Sequence, residues 1–316
     1  MPSRFDPHII ENLYREFKEV SRGRVASYIP ELQKASLDRF GVSFCGVDGR
    51  QLNWGYTGDL FSIQSIVKTV NYCIAQRLLG EEKVHQSIGL EPSGHGFNQI
   101  TLDAEHRPHN PMVNAGGITA CYLIQKETGK RSLETVQKTW AAATDGQTPD
   151  VDQEVYQSER KTGHRNLAIA HFLMEHKVFD QETNVPEVTD FYFETCSLKT
   201  NTQKLAIFAA TLAHGGKNPV SGETVFDSQV ARNCLTLMLS CGMYDYSGTF
   251  AFRVGLPAKS GVSGGLILVI PQVGGFGIWS PPLDEFGNPV RALLFCEKLS
   301  SEFPLHNCHC DCVGSS

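Results

Sequence analysis

Ser65 and Lys68 stand three residues apart in Phe61-Ser62-Ile63-Gln64-Ser65-Ile66-Val67-Lys68, and a Lys259-Ser260-Gly261 triplet lies far downstream. A serine hydroxyl is a weak nucleophile until a base takes its proton. A lysine three positions later in a helix lies on the same face, within reach of that hydroxyl. Its amine must be neutral to act, and from an ordinary pKa near ~10.4 that costs roughly 4–5 kcal/mol at pH 7. Burial and a second nearby cation lower such a pKa, and Lys259 is a candidate for that cation. Glycines at 261, 264 and 265 would let backbone amides approach a substrate carbonyl. A backbone oxyanion hole of that kind contributes about 10²–10³ in rate per donor. The expected chemistry is acyl transfer through a serine. A second Ser-x-x-Lys, Ser158 to Lys161, sits in a charged run where solvent is the natural partner. The first copy instead opens an apolar stretch through Val70, Tyr72, Ile74 and Ala75.

These groups need elements to hold them. Leu13, Phe17 and Val20 recur at helical spacing, which predicts a helix over Ile10 to Val20. Gly41 to Val47 and Gln51 to Tyr56, joined at Asp48-Gly49, predict a β-hairpin. From about Asn71 to Phe226 the pattern is mostly helical. It is broken by a loop from Glu91 to Pro111 whose length suits a lid or a permissive surface insertion. Thr249 to Leu256, Gly264 to Pro271 and Gly275 to Ser280 read as strands. Leu266 to Ile270 is apolar at every position, as a central strand covered on both faces would be. The expected fold class is α/β (α+β), with a mixed sheet flanked by helices. Residues 1–70 and 227–316 form the sheet-containing lobe, 71–226 form an inserted helical lobe, and the active site lies in the cleft between them.

Composition narrows the function. With 28 Lys and Arg against 34 Asp and Glu, the net charge of −6 argues against a nucleic-acid partner. The longest apolar runs are far too short to span a bilayer, so no membrane partner is expected. Met1 to Arg15 is polar and charged, unlike a signal peptide. Most of the ten cysteines sit singly in apolar segments, which fits a reducing compartment. The tail from His306 to Cys312 lacks the paired cysteine loops of structural zinc sites, and no metal is expected there.

Ser-x-x-Lys with a distant Lys-Thr-Gly marks class A β-lactamases and penicillin-binding proteins. Here Ser260 replaces the threonine and keeps its hydroxyl. The third element of that pattern is not evident, since Tyr244-Asp245-Tyr246-Ser247 lacks the asparagine. Further motifs occur in order: Tyr28-Ile29-Pro30, His109 to Gly116, Ser158-Glu159-Arg160, Arg165-Asn166, Asp190 to Phe193, Cys241 to Asp245 and Gly255 to Val262. From about Val25 to Ser301 the chain resembles the serine-dependent glutaminases, which share the β-lactamase/transpeptidase-like fold.

That resemblance implies hydrolysis of L-glutamine to L-glutamate and ammonia through a γ-glutamyl-serine intermediate. It makes Ser65 the nucleophile, Lys68 the general base and the Tyr244 hydroxyl a proton relay. It gives the oxyanion to the backbone N–H groups of Ser65 and Val262. The α-amino and α-carboxylate groups of glutamine fall to Tyr28, Asn114, Glu159, Asn166 and Tyr192. An ammonium wants a carboxylate, and Glu159 supplies one. Taken singly, Tyr28 also fits helix-end packing, Asn114 a helix cap, Glu159 a solvated charge and Tyr192 a core position.

The resemblance further implies no cofactor, inorganic phosphate as an activator, and a homo-oligomer, a dimer or tetramer. The loop from Glu91 to Pro111 matches the segment that gates the site in that family. The targeting region and ankyrin repeats of animal mitochondrial members have no counterpart in this sequence. The expectation is therefore a compact cytoplasmic enzyme, or a trimmed catalytic domain from a mitochondrial one. Two other readings stand beside this one: another serine acyl hydrolase of β-lactamase or esterase type, and a non-catalytic sensor that traps an acyl group.

Overall fold

Leu266, Leu268 and Ile270 point into one apolar core, and the intervening Ile267 and Val269 point into another. A strand sends successive side chains to opposite faces, so this run can be apolar throughout only if both faces are covered. The structure, a computed structural model, describes residues 6–26, 29–94, 96 and 98–310.

The chain enters through α1 (Pro7–Lys18), whose first turn is capped by the Asp6 side chain. The hairpin follows as β1 (Gly41–Gly46) and β2 (Gln51–Gly55). A short strand, β3 (Phe61–Ser62), pairs with β4 (Lys199–Thr200) far along the chain. Between them run α2 (Val67–Leu79), α3 (Glu81–Ser87), α4 (Asn114–Thr128) and α5 (Ser132–Ala143), then α6 (Gln153–Thr162), α7 (His164–Glu175) and α8 (Val185–Cys196). After β4 come α9 (Thr202–Ala213), α10 (Ser228–Cys241) and α11 (Ser247–Arg253). The chain then forms β5 (Ala258–Ser260), β6 (Gly265–Ile270), β7 (Gly274–Trp279) and α12 (Val290–Glu302).

The main sheet has the order β2-β1-β7-β6-β5, and each of its pairs is antiparallel. The mixed sheet expected from the sequence is therefore an antiparallel one flanked by helices. Tight turns join β1 to β2, β5 to β6 and β6 to β7, and a parallel pair would need a longer crossover. On one face, α1 and α12 pack together and join Phe44, Phe276 and Phe295 in a core. On the other face lies α9, although it falls within the 71–226 stretch read as the helical lobe. It can lie directly on β7 because that strand carries Gly275 and Gly277. A Cβ at Gly277 would stand 2.2 Å from the Thr202 carbonyl oxygen, and one at Gly275 would stand 2.2 Å from the Ala209 Cβ.

Thr249 to Leu256 is not a strand but α11 and the turn after it. Strand geometry would put Phe250, Phe252 and Val254 on one face. Instead Phe250 and Val254, four residues apart, are buried while Phe252 is 84% exposed, which is a helical arrangement.

In the helical part, α2 is buried at every position from Val67 to Gln76 and is packed by α4, α5 and α10. Among the described residues no helix is long and apolar enough to cross a membrane. Cys45, Cys73, Cys121, Cys196, Cys234 and Cys296 are buried free thiols, while Cys308 and Cys310 are exposed. The tail residues Asp311 and Cys312 lie outside the described residues.

The tight seat of α9 gives a stability prediction. Gly277→Ala should lower stability by about 1–3 kcal/mol through overpacking. Gly58→Ala, whose Cβ would meet nothing within 4 Å, should leave the denaturation midpoint unchanged.

Candidate active site

Ser65 sits in a 3₁₀ turn, Gln64–Ile66, that feeds into α2, and Lys68 lies in the first turn of that helix. Lys68 Nζ donates to Ser65 Oγ at 3.0 Å and to Asn114 Oδ1 at 2.7 Å. Asn114 is the first residue of α4, after Val113 at the N-cap, and its amide does not cap the helix. Its Nδ2 donates instead to Asn166 Oδ1 at 2.9 Å. Gly117, one turn further along α4, makes room for the lysine stem, since a Cβ there would stand 2.9 Å from Lys68 Cε. No part of the Lys68 side chain reaches solvent. Burial lowers its pKa to about 8, opposed by the neighbouring Cys196 and Glu159. The ordinary obstacle to a lysine base is thus largely removed by desolvation.

The downstream triplet arrives on the edge strand β5. Gly261 brings its backbone against the nucleophile turn, where a Cβ would stand 2.9 Å from the Ile63 carbonyl oxygen and 3.5 Å from Ser65 N. Val262 follows in the turn between β5 and β6, buried in a small cluster with Tyr244 and Ile29. Lys259 is fully buried, donates to the Ser260 carbonyl oxygen at 2.7 Å, and lies 4.3 Å from the centre of the Tyr244 ring. Its pKa falls well below the usual lysine range through burial and then repulsion from Lys68. Burial, rather than Lys259, is what lowers Lys68, and the cation repulsion weighs on Lys259. The Tyr244 hydroxyl donates to the Ser260 carbonyl oxygen at 3.1 Å. Burial raises its pKa, opposed by hydrogen bonds to Ser65 and Ser260.

Glu159 is buried on the last turn of α6, not solvated, and its charged neighbours face outward: Arg160 pairs with Asp190 at 3.1 Å. Burial raises the Glu159 pKa to about 7, opposed by a hydrogen bond from Gln64 and by Lys68. Gln64 Nε2 donates to Glu159 Oε1 at 2.6 Å. Sequence reasoning gave Gln64 no role. It is held at φ 51°, and Tyr244 at φ 55°, a region non-glycine residues enter at a cost of about 1–3 kcal/mol when the surroundings enforce it. Nothing in a glutamine codon position signals such a backbone, so only the structure identifies it.

Ser65, Asn114, Glu159, Asn166 and Tyr192 line one cavity of about 90 Å³, together with Gln64, Cys196 and Arg165. One water needs about 10–15 Å³ by this measure, so there is room for a small solute. Tyr192 is both buried in the core and exposed to this cavity. Tyr244 lines a second cavity of about 500 Å³, which Pro92, Ser93 and Gly94 of the long loop also line. Tyr28 lies outside the described residues. Among the described residues no group of three His, Cys, Asp or Glu side chains is placed to hold a metal. The site has a serine hydroxyl on a desolvated amine, a buried tyrosine hydroxyl beside it, and a buried carboxylate across the cavity. Such a set suits acyl transfer on a small substrate carrying a positive charge.

Comparison with known proteins gives the same direction. The glutaminase family model matches residues 23–307. The chain is 43% identical to the mitochondrial liver isoform of glutaminase from Rattus norvegicus, over 94% of its own length and 50% of that protein. It is 43% identical to putative glutaminase 2 of Caenorhabditis elegans, over 95% of its own length and 50% of that protein. The chain thus spans about half the length of these curated relatives. A glutaminase from Nostoc is 42% identical, covering 97% of this chain and 91% of that one. Crystal structures of Mglu share the β-lactamase-like fold, and its glutamate form superposes with a TM-score of 0.91 at 37% identity, covering 98% of this chain and 71% of that one. The chain belongs to the glutaminase family.

Proposed function

We propose that this protein hydrolyses L-glutamine to L-glutamate and ammonia through a γ-glutamyl ester on Ser65. The observation that carries this reading is the hydrogen-bonded chain Ser65–Lys68–Asn114–Asn166 opening into the cavity that also holds Glu159. A neutral Lys68 amine takes the Ser65 proton as Oγ attacks the side-chain amide carbon of glutamine. Asn114 holds one amine N–H, which leaves the nitrogen lone pair for Ser65. The backbone N–H groups of Ser65 and Val262 receive the oxyanion. The tetrahedral intermediate collapses as Lys68, through the Tyr244 hydroxyl, returns the proton to the departing nitrogen and ammonia leaves. Water then attacks the ester by the same route in reverse, releasing glutamate and restoring Ser65. Glu159 pairs with the substrate ammonium, and Asn114, Asn166, Tyr192 and Tyr28 hold the α-carboxylate.

We further propose that this chain works as a homo-oligomer, dimer or tetramer, and that phosphate activates it without any other cofactor. The compartment, cytoplasmic or mitochondrial, follows the source of the chain. Light scattering at rising phosphate, run beside ammonia release, should show activity and assembly increasing together. Activity independent of phosphate would remove the activator from this reading.

Ammonia and glutamate release from L-glutamine tests the reaction itself. Ser65→Ala should lose about 10⁴–10⁶ in kcat, and Lys68→Ala about 10²–10⁴, both with unchanged circular dichroism. Normal hydrolysis by Ser65→Ala would rule the mechanism out.

The pH profile tests the base and the carboxylate together. Lys68 must lose its proton to act, so activity is low below its pKa of about 8 and rises through it. Glu159 must be ionised to meet the ammonium, so recognition in the free enzyme rises through about 7. The acid limb of kcat/KM should therefore steepen toward a two-proton slope below pH 7. Glu159→Gln should cost about 10²–10³ in kcat/KM and leave a one-proton slope through about 8. A two-proton slope retained in that variant would take Glu159 out of the recognition step.

A further inference from the structure

The geometry points to Asn288 as the positioning residue that holds the Tyr244 hydroxyl in register with Ser65. This inference rests on the glutaminase reading only for its kinetic readout. Asn288 is fully buried, on the loop between β7 and α12, and no part of the catalytic scheme above uses it. Its Oδ1 accepts from Ser260 Oγ at 2.5 Å, and its Nδ2 donates to the Met243 carbonyl oxygen at 3.2 Å. Met243 precedes Tyr244, and the Tyr244 hydroxyl donates to the carbonyl oxygen of the same Ser260. A closed ring results: Tyr244 to Ser260, Ser260 to Asn288, Asn288 to Met243, and the peptide bond back to Tyr244.

This ring joins three segments: β5, the turn Tyr244–Tyr246, and the 282–289 loop, the last two also meeting where Tyr246 lies 5.6 Å from Phe286, ring centre to ring centre. The tyrosine needs such a clamp because its backbone lies at φ 55°. A second clamp secures the other side of the turn, where Ser247 Oγ accepts from Met243 N–H at 2.9 Å and donates to the Tyr244 carbonyl oxygen at 2.7 Å. Asn288 is itself fixed from below. Its N–H donates to Asp284 Oδ1 at 2.8 Å, and its carbonyl oxygen accepts from Asp284 N–H at 2.8 Å. An amide is the side chain this place requires, since one acceptor must meet a hydroxyl and one donor must meet a carbonyl. An ionised carboxylate would accept from Ser260 but confront the Met243 oxygen with a second acceptor. The titratable groups around the position are Asp284 on its own loop, Lys259 on β5 and Tyr244 on the turn.

Two variants test the inference in the intact chain. Asn288→Leu keeps the volume and removes both hydrogen bonds. It should lower kcat for glutamine by about 10²-fold, the scale of a misplaced catalytic group, with little change in KM. Asn288→Asp should recover as pH falls, because a protonated carboxyl donates to Met243 while its carbonyl accepts from Ser260. Its kcat divided by that of wild type at each pH cancels the titration of Lys68 and Glu159, and this ratio should climb toward acid. General loss of fold gives no such climb. If the leucine variant does not fold, the aspartate ratio decides alone, and a flat ratio overturns the inference. A folded Asn288→Leu with kcat within about twofold of wild type overturns it as well. Tyrosine labelled at ¹³Cζ supplies a readout that needs no turnover. The Tyr244 resonance, assigned by its loss in Tyr244→Phe, should move in Asn288→Leu or, failing that, in Asn288→Asp on titration. An unmoved resonance also overturns the inference. Absence of turnover in wild type would count against the glutaminase reading and leave this spectroscopic test intact.

Discussion

An amine held out of water governs this structure. Lys68 has no exposed surface, and a charge in that position loses the solvation that keeps ordinary lysines protonated. Everything around it follows. The helix that carries it is buried along ten consecutive positions, which requires neighbours on several sides. The glycine opposite leaves space for its stem, and Asn114 supplies the polar contact that an isolated buried amine would lack. Without that enclosure the Lys68 pKa would return from about 8 toward the ordinary lysine value, and a far smaller fraction of the amine would be neutral beside Ser65.

The same enclosure places a second amine and a carboxyl under strain. Lys259 is driven well down and Glu159 up to about 7, in both cases chiefly by burial. Each group by itself is costly to keep. Glu159 has the Gln64 amide as its one direct side-chain hydrogen-bond partner among the described residues. Backbone strain adds to this, with Gln64 and Tyr244 both in the left-handed region. The sheet accounts for how such positions persist. A β5 edge anchored to β6, and a β7 so closely packed by α9 that its glycines leave no room for a methyl group, form a frame that does not yield to local cost.

Several features were legible from residue order because they depend on local periodicity. The hairpin around Asp48-Gly49 formed, with Gly41 opposite Gly55 and Cys45 opposite Gln51. The five-residue apolar run became a strand covered on both faces. Ser65 and Lys68 met because three residues make nearly one helical turn. Thr249 to Leu256 was misread because phenylalanines spaced two apart fit a strand as well as a helix. Only the packing that leaves Phe252 in solvent distinguishes the two.

The sequence by itself determined the pairing of Ser65 with Lys68 and the family, since these are written in short motifs and in their order along the chain. It did not determine what surrounds them. Asn114 looks like a helix cap until α4 is docked beside α2 and its amide meets Lys68 and Asn166. Glu159 looks solvated until α6 turns it inward toward Gln64, and neither Gln64 nor Asn288 carries any local mark of its place. Burial, pKa and long-range hydrogen bonds are properties of surfaces brought together from distant parts of the chain. Tertiary packing alone decides them.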